Sequence, residues 1–465
     1  MNPVFIREMR QMVRNKFVAT ALIVYLFALL ATVMLTIMAK ASSGGLVSLA
    51  GKGAGQYVSI AVLLVLGLLT TIVVPLFTGI RMSLEKSPES MDLQFATTLR
   101  PAQFVDGKIG SSFVLLLLFA SATLPFLMLA YILRGADVFT MLVSIGSTLL
   151  YALLMLYVAV FIGSLNLNKA FRIIIMIIMP LFALQMFAGV GMMLIIARGL
   201  GGGGPTFMSM SMSSTHQWWA VALILAGFAT LCLMLRAAAA AHLAPPHVNG
   251  QRPLRVTVAI AWAAWGALAL IVSLIKSELY IMAWYFTFGS ILLLMLFGAV
   301  SSQPGYSRRV LSEIKPRWRG LQFLMFTGAE SGIAFALVLI FITMLGGFGV
   351  TAVIPSPSYN DDVMEKFAMF FCYPAAHFLT ARLIWQAGLR RVMNCKYVGL
   401  AGLVWMFAGS IFTAVIFARS SSSDAFTVFS CIWFFIAAIL NMPFIFSAAN
   451  RFRSPAANGK LKVES

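Results

Sequence analysis

The chain reads as long apolar blocks separated by short polar stretches, without the strict alternation that marks a half-buried strand. Blocks fall at 17–38, 58–80, 112–133, 141–165, 173–197 and 218–235, and again at 256–275, 280–300, 332–350, 367–385, 399–418 and 425–447. A helix needs about 20 apolar residues to cross about 30 Å of hydrocarbon, so each block predicts one span. The pattern predicts an all-α polytopic membrane protein of about twelve transmembrane helices, preceded by a short interfacial helix.

Two six-span units follow from the spacing of these blocks. The first occupies 1–240 and the second 256–447, with a cytoplasmic linker at 241–255 and a cytoplasmic tail at 448–465. An alanine run prolongs the sixth helix until Pro245 and Pro246 stop it. The first block is 22 residues long, beyond the usual h-region of about 7–15, which predicts a retained helix rather than a cleaved signal peptide.

Composition agrees with the bilayer as solvent: 61% of residues are hydrophobic and 10% are charged, where soluble chains carry about a quarter charged. The net charge of +19 would suggest nucleic acid in a soluble protein. With the N-terminus placed inside, 26 of the 33 Lys and Arg residues fall in inner segments and seven in outer loops. The excess is then a topology signal, with both termini cytoplasmic and no nucleic-acid partner implied. Cys232, Cys372, Cys395 and Cys431 show no CxxC or CxxH spacing and read as small core residues.

Two polar segments interrupt this pattern. In residues 2–16, Asn2 can cap a helix and Pro3 suits its first position. On a helical projection Phe5, Ile6, Met9, Met12 and Val13 share one arc, with Arg7, Glu8, Arg10, Gln11 and Arg14 opposite, as in a helix lying in the membrane interface. After the second block, Ser87 and Pro88 can open a short helix, Glu89 and Asp92 suit its positive end, and Arg100-Pro101 closes it. Met91, Phe95 and Leu99 form a ridge at i, i+4, i+8 that can pack on the protein's own spans or dock into a partner.

Asn2-Pro3, Arg7-Glu8 and Arg14, together with Glu85, Glu89, Asp92, Leu93, Thr97-Thr98-Leu99, Pro101, Gly107-Lys108 and Pro125, resemble the elbow helix and coupling-helix loop of type-2 ABC transporter permeases. The resemblance covers roughly residues 1–240. Pro88 interrupts the family's acidic-basic-acidic-x-Gly-Thr stretch, and Ser90-Met91 replaces its Gly-Thr. The resemblance implies an exporter permease in the cell inner membrane. It also implies a cytosolic ABC ATPase subunit as partner, with ATP and Mg bound on that partner, and pairing with a second permease or a second copy of the chain. Its contact surface for the ATPase would comprise Phe5, Arg7, Glu8, Met9, Glu85, Glu89, Met91, Asp92, Phe95 and Leu99.

The chain has no Gly-x-x-x-x-Gly-Lys-Ser/Thr stretch, the usual phosphate cradle. All fourteen acids lie in loops, at helix ends or in tails, which disfavours coupling to an ion gradient. His377, the one histidine within a block, reads as hydrogen-bonded to a neighbouring helix before it reads as a ligand. Gln185 reads the same way. A non-transporting membrane scaffold and a twelve-span secondary carrier remain the alternatives to a permease.

Overall fold

The computed structural model describes residues 2–49, 54–86, 100–133, 138–165, 170–179, 215–245, 248–275, 279–302, 319–353, 360–391, 393–417 and 423–453. The protein is an all-helical, multi-pass membrane protein, and no strand occurs among the described residues. The chain divides into two compact units, Met1–Ala244 and Pro245–Ser465, and the division falls within the 241–255 segment.

Unit 1 begins with α1 (Pro3–Arg14), where the Asn2 side chain accepts a hydrogen bond from the Val4 amide at 3.0 Å. Then follow α2 (Lys16–Leu49), α3 (Ala54–Leu68) and α4 (Val74–Glu85). A five-residue π-helical stretch, Leu69–Val73, joins α3 to α4. Pro75 lacks the N–H that would reach the Thr71 carbonyl, which accounts for the local widening. The Thr70 and Thr71 hydroxyls donate back to the carbonyls of Leu66 and Gly67.

α5 (Pro101–Ile132), α6 (Val138–Ser164), the short α7 (Ala170–Met179) and α8 (Thr215–Leu243) complete the unit. Its core gathers Tyr25, Leu29, Leu66, Leu116, Phe119 and Leu156. Tyr25 meets Phe119 edge-on at 5.3 Å and shares a 2.6 Å hydrogen bond with Thr123. Small residues let α4 and α6 approach closely: a Cβ on Gly163 would lie 2.9 Å from the Gly79 carbonyl.

Unit 2 comprises α9 (Gln251–Ile275), α10 (Leu279–Val300), α11 (Arg319–Leu324), α12 (Ala329–Val353), α13 (Asn360–Ala387), α14 (Val398–Phe417) and α15 (Ser423–Arg453). Trp262 on α9 donates to Thr343 on α12 at 3.0 Å, and Phe452 on α15 packs edge-on against Phe323 and Phe326.

Among the described residues, eight helices are long and apolar enough to cross a membrane, where the sequence pattern predicts about twelve. The fifth predicted span is described only through Met179. The eighth and eleventh coincide with α10 and α14, whose apolar described stretches are the shorter Trp284–Val300 and Val398–Gly409. The tenth coincides with α13, where His377 and Arg382 interrupt the apolar run. Large apolar side chains such as Phe27, Met38, Leu294 and Phe446 point outward, as expected where hydrocarbon is the solvent.

Candidate functional site

The most polar buried locus of unit 1 lies where α1 meets the end of α4 and the beginning of α5. Close packing brings α1 there: a Cβ on Gly107 of α5 would lie 2.7 Å from the Val4 Cβ, and one on Gly110 would meet Phe5 at 3.2 Å. Asn2 extends the junction by donating to the Gln103 carbonyl at 2.5 Å.

Glu8 points into this junction, with its side chain only 3% exposed. One carboxylate oxygen lies 3.0 Å from the Lys108 ammonium and 3.2 Å from Arg7, while the other lies 2.9 Å from Arg81. Glu85 closes the ring, 2.5 Å from Lys108, 3.7 Å from Arg81 and 3.8 Å from Arg7. Gln11 accepts a further bond from Arg81 at 2.8 Å. Three cations and two acids from three helices form one charged clamp. Burial pushes the Glu8 carboxyl up, but Lys108, Arg81 and Arg7 outweigh it and hold its pKa below the ordinary 4.5.

Adjacent contacts hold the described residues on either side of positions 87–99. Lys86, the residue after α4, donates to the carbonyls of Ser164 and His242, at the C-terminal ends of α6 and α8. A cation there satisfies orphan carbonyls and complements the helix dipoles. At the other flank, the Gln103 side chain accepts from the Arg100 amide at 3.1 Å, capping α5. Asp106 on α5 holds Arg236 on α8 in a two-pronged pair at 2.5 and 2.6 Å. Such bidentate geometry adds direction as well as energy.

The structure separates the residues that the resemblance implicates. Arg7 is half-exposed, Phe5 and Met9 are partly buried against the unit, and Glu85 sits at the rim of the clamp. Glu8, which the helical projection places on the polar outer arc, faces inward instead. The buried stripe of α1 is Val4, Glu8 and Met12, while Ile6 turns outward. Glu89, Met91, Asp92, Phe95 and Leu99 lie outside the described residues.

On the outer side of α1, Pro3, Ile6, Arg7, Arg10, Gln11 and Arg14 line a shallow open depression. Its basic character follows from arginines at positions 7, 10 and 14, a helical spacing that was available in the sequence. The junction joins α1, α4 and α5 through buried and half-buried ion pairs. Among the described residues, no cluster of three or more His, Cys, Asp or Glu is placed to hold a metal.

In unit 2, His377 departs from the expected pairing with a neighbouring helix. Its Nδ1 lies 2.8 Å from the Tyr373 carbonyl in its own helix, and its ring packs 4.3 Å from Trp433 on α15. Gln185 lies outside the described residues. Comparison of the chain with protein-family models, with curated proteins and with solved structures finds no match.

Proposed function

We propose that the protein is the membrane-spanning permease subunit of an ATP-driven ABC exporter in the cytoplasmic membrane. ATP and Mg would be bound and used by a separate cytosolic ATPase subunit. The observation that carries this reading is the charged clamp that joins α1 to the end of α4 and the start of α5, the two helices that flank residues 87–99. Glu85 belongs to the clamp, Lys86 anchors the loop's start, and Asn2 reaches α5 three residues beyond Arg100. A partner that grips α1 and the loop together would pull on α4, α5 and, through Lys86 and Arg236, on α6 and α8. The exposed arginines of α1 give that partner a basic rim, suited to an acidic surface.

The test is co-purification of a candidate cytosolic ABC ATPase subunit, at equal membrane levels of each variant. Phe95→Asp places a charge in the proposed apolar contact and is expected to weaken assembly by about 2–4 kcal/mol, while Gln94→Asp leaves it intact. Undiminished co-purification with Phe95→Asp removes the docking role of the ridge.

A further inference from the structure

Cys372 on α13 and Cys431 on α15 face each other with their sulfurs 3.6 Å apart, and both are free thiols. We propose that these two residues form a disulfide, made by a lipid-soluble quinone that reaches Cys431 from the hydrocarbon. A disulfide needs about 2.05 Å between sulfurs, so closure asks for a shift of about 1.5 Å, within reach of side-chain rotation at the two residues.

Access distinguishes the two thiols. Cys372 is wholly buried, whereas Cys431 is partly exposed. Cys431 borders the outward strip of α15 formed by Val428, Ile432 and Phe435, whose exposures are 56%, 54% and 44%. The exposed described side chains beside Cys431 on α15, Val428, Ile432 and Phe435, are apolar, which favours an oxidant soluble in hydrocarbon over a water-soluble one.

The step balances as a two-electron exchange. Two S–H bonds break and one S–S bond forms, and the two protons and two electrons pass to the quinone, which leaves as hydroquinone. The other two thiols are placed differently. Cys395 donates to the Ser302 carbonyl at 2.8 Å and lies 3.0 Å from Arg382, while Cys232 belongs to unit 1.

The bridge would tie α13 to α15 in a unit where α13 already holds two other helices. Arg382 of α13 donates to the Val300 carbonyl at the end of α10 and to Glu330 at the start of α12. Oxidation would therefore lock α13, restricting any motion that needs it to slide past α15.

The experiment uses the full chain in phospholipid nanodiscs, exposed to a decyl-substituted benzoquinone or to glutathione disulfide. After denaturation, free thiols are counted by maleimide mass shift and joined peptides are identified by mass spectrometry. The expected result is a fall from four thiols to two with the quinone, with 372 and 431 joined, and four thiols retained with glutathione disulfide. Cys372→Ser and Cys431→Ser should each keep three. Four thiols after quinone, a quinone adduct, or a bridge using Cys232, Cys395 or a second chain would overturn the proposal. Equal bridging by glutathione disulfide would overturn the route through the hydrocarbon.

Discussion

In unit 1, Lys108 and Arg81 are met by carboxylates, those of Glu8 and Glu85, drawn from two different helices. In unit 2, the buried arginines are met chiefly by neutral groups. Arg255 donates to the Leu324 carbonyl at 2.7 Å and to the Ser331 hydroxyl at 3.1 Å, and its guanidinium lies over Phe335. Arg382 has the Val300 carbonyl, the Cys395 sulfur and the Trp385 ring, with Glu330 as its one acid at 3.3 Å. Main-chain carbonyls at helix ends act as staples, fixing a loop or a terminus in place. A ring of opposite charges on three separate helices makes each helix's position depend on the other two. On the proposed function, that difference favours the α1 junction over the arginines of unit 2 as the place where force from a partner would enter.

The contrast can be broken by substitution. Glu8→Gln leaves Arg81 and Lys108 with Glu85 alone in a buried setting and should cost about 3–5 kcal/mol. Thermal unfolding of the purified protein in nanodiscs measures this, and α1 should be the first segment to lose hydrogen-exchange protection. Arg255→Met removes bonds to neutral acceptors in unit 2 and should cost about 1–3 kcal/mol. A loss for Arg255→Met equal to or above that for Glu8→Gln would erase the distinction between clamp and staple.

Acid offers a gentler probe. Because the folded pKa of Glu8 is lowered, its stabilisation is fully present above the ordinary carboxylate value of 4.5 and is lost as the pH falls through the lower folded value. Exchange protection of α1 should be flat between pH 6 and 8 and should decline below about pH 4.5. The staples of Arg255 contain no group that titrates in that range, so their local protection should change least.

Much of this architecture was legible in the sequence because hydrocarbon imposes a simple rule on it. Apolar runs located the helices and Asn2-Pro3 marked the start of α1, whereas Arg100-Pro101, which reads in the sequence as the close of a loop helix, opens α5. The third apolar block begins at 112, yet α5 begins at Pro101, since a helix can continue past the hydrocarbon on polar residues. Those extra turns carry Asp106 and Lys108, the residues that make the junction. The inward turn of Glu8 was illegible because a projection of α1 treats a carboxylate as solvent-seeking. The cations that stabilise it indoors arrive on α4 and α5, Lys108 from 100 positions away. The partner of His377 was likewise a matter of packing: its Nδ1 meets the Tyr373 carbonyl one turn back in its own helix.

The proposed function has this chain moved by ATP hydrolysed on a separate subunit. Mg-ATP turnover is measured in nanodiscs containing the pure chain, a candidate ABC ATPase subunit that co-purifies with it, or both. The account predicts no turnover by the chain alone, and turnover with both that falls when Phe95→Asp replaces the wild type. Hydrolysis by the lone, rigorously pure chain, or a partner ATPase indifferent to its presence, would contradict it.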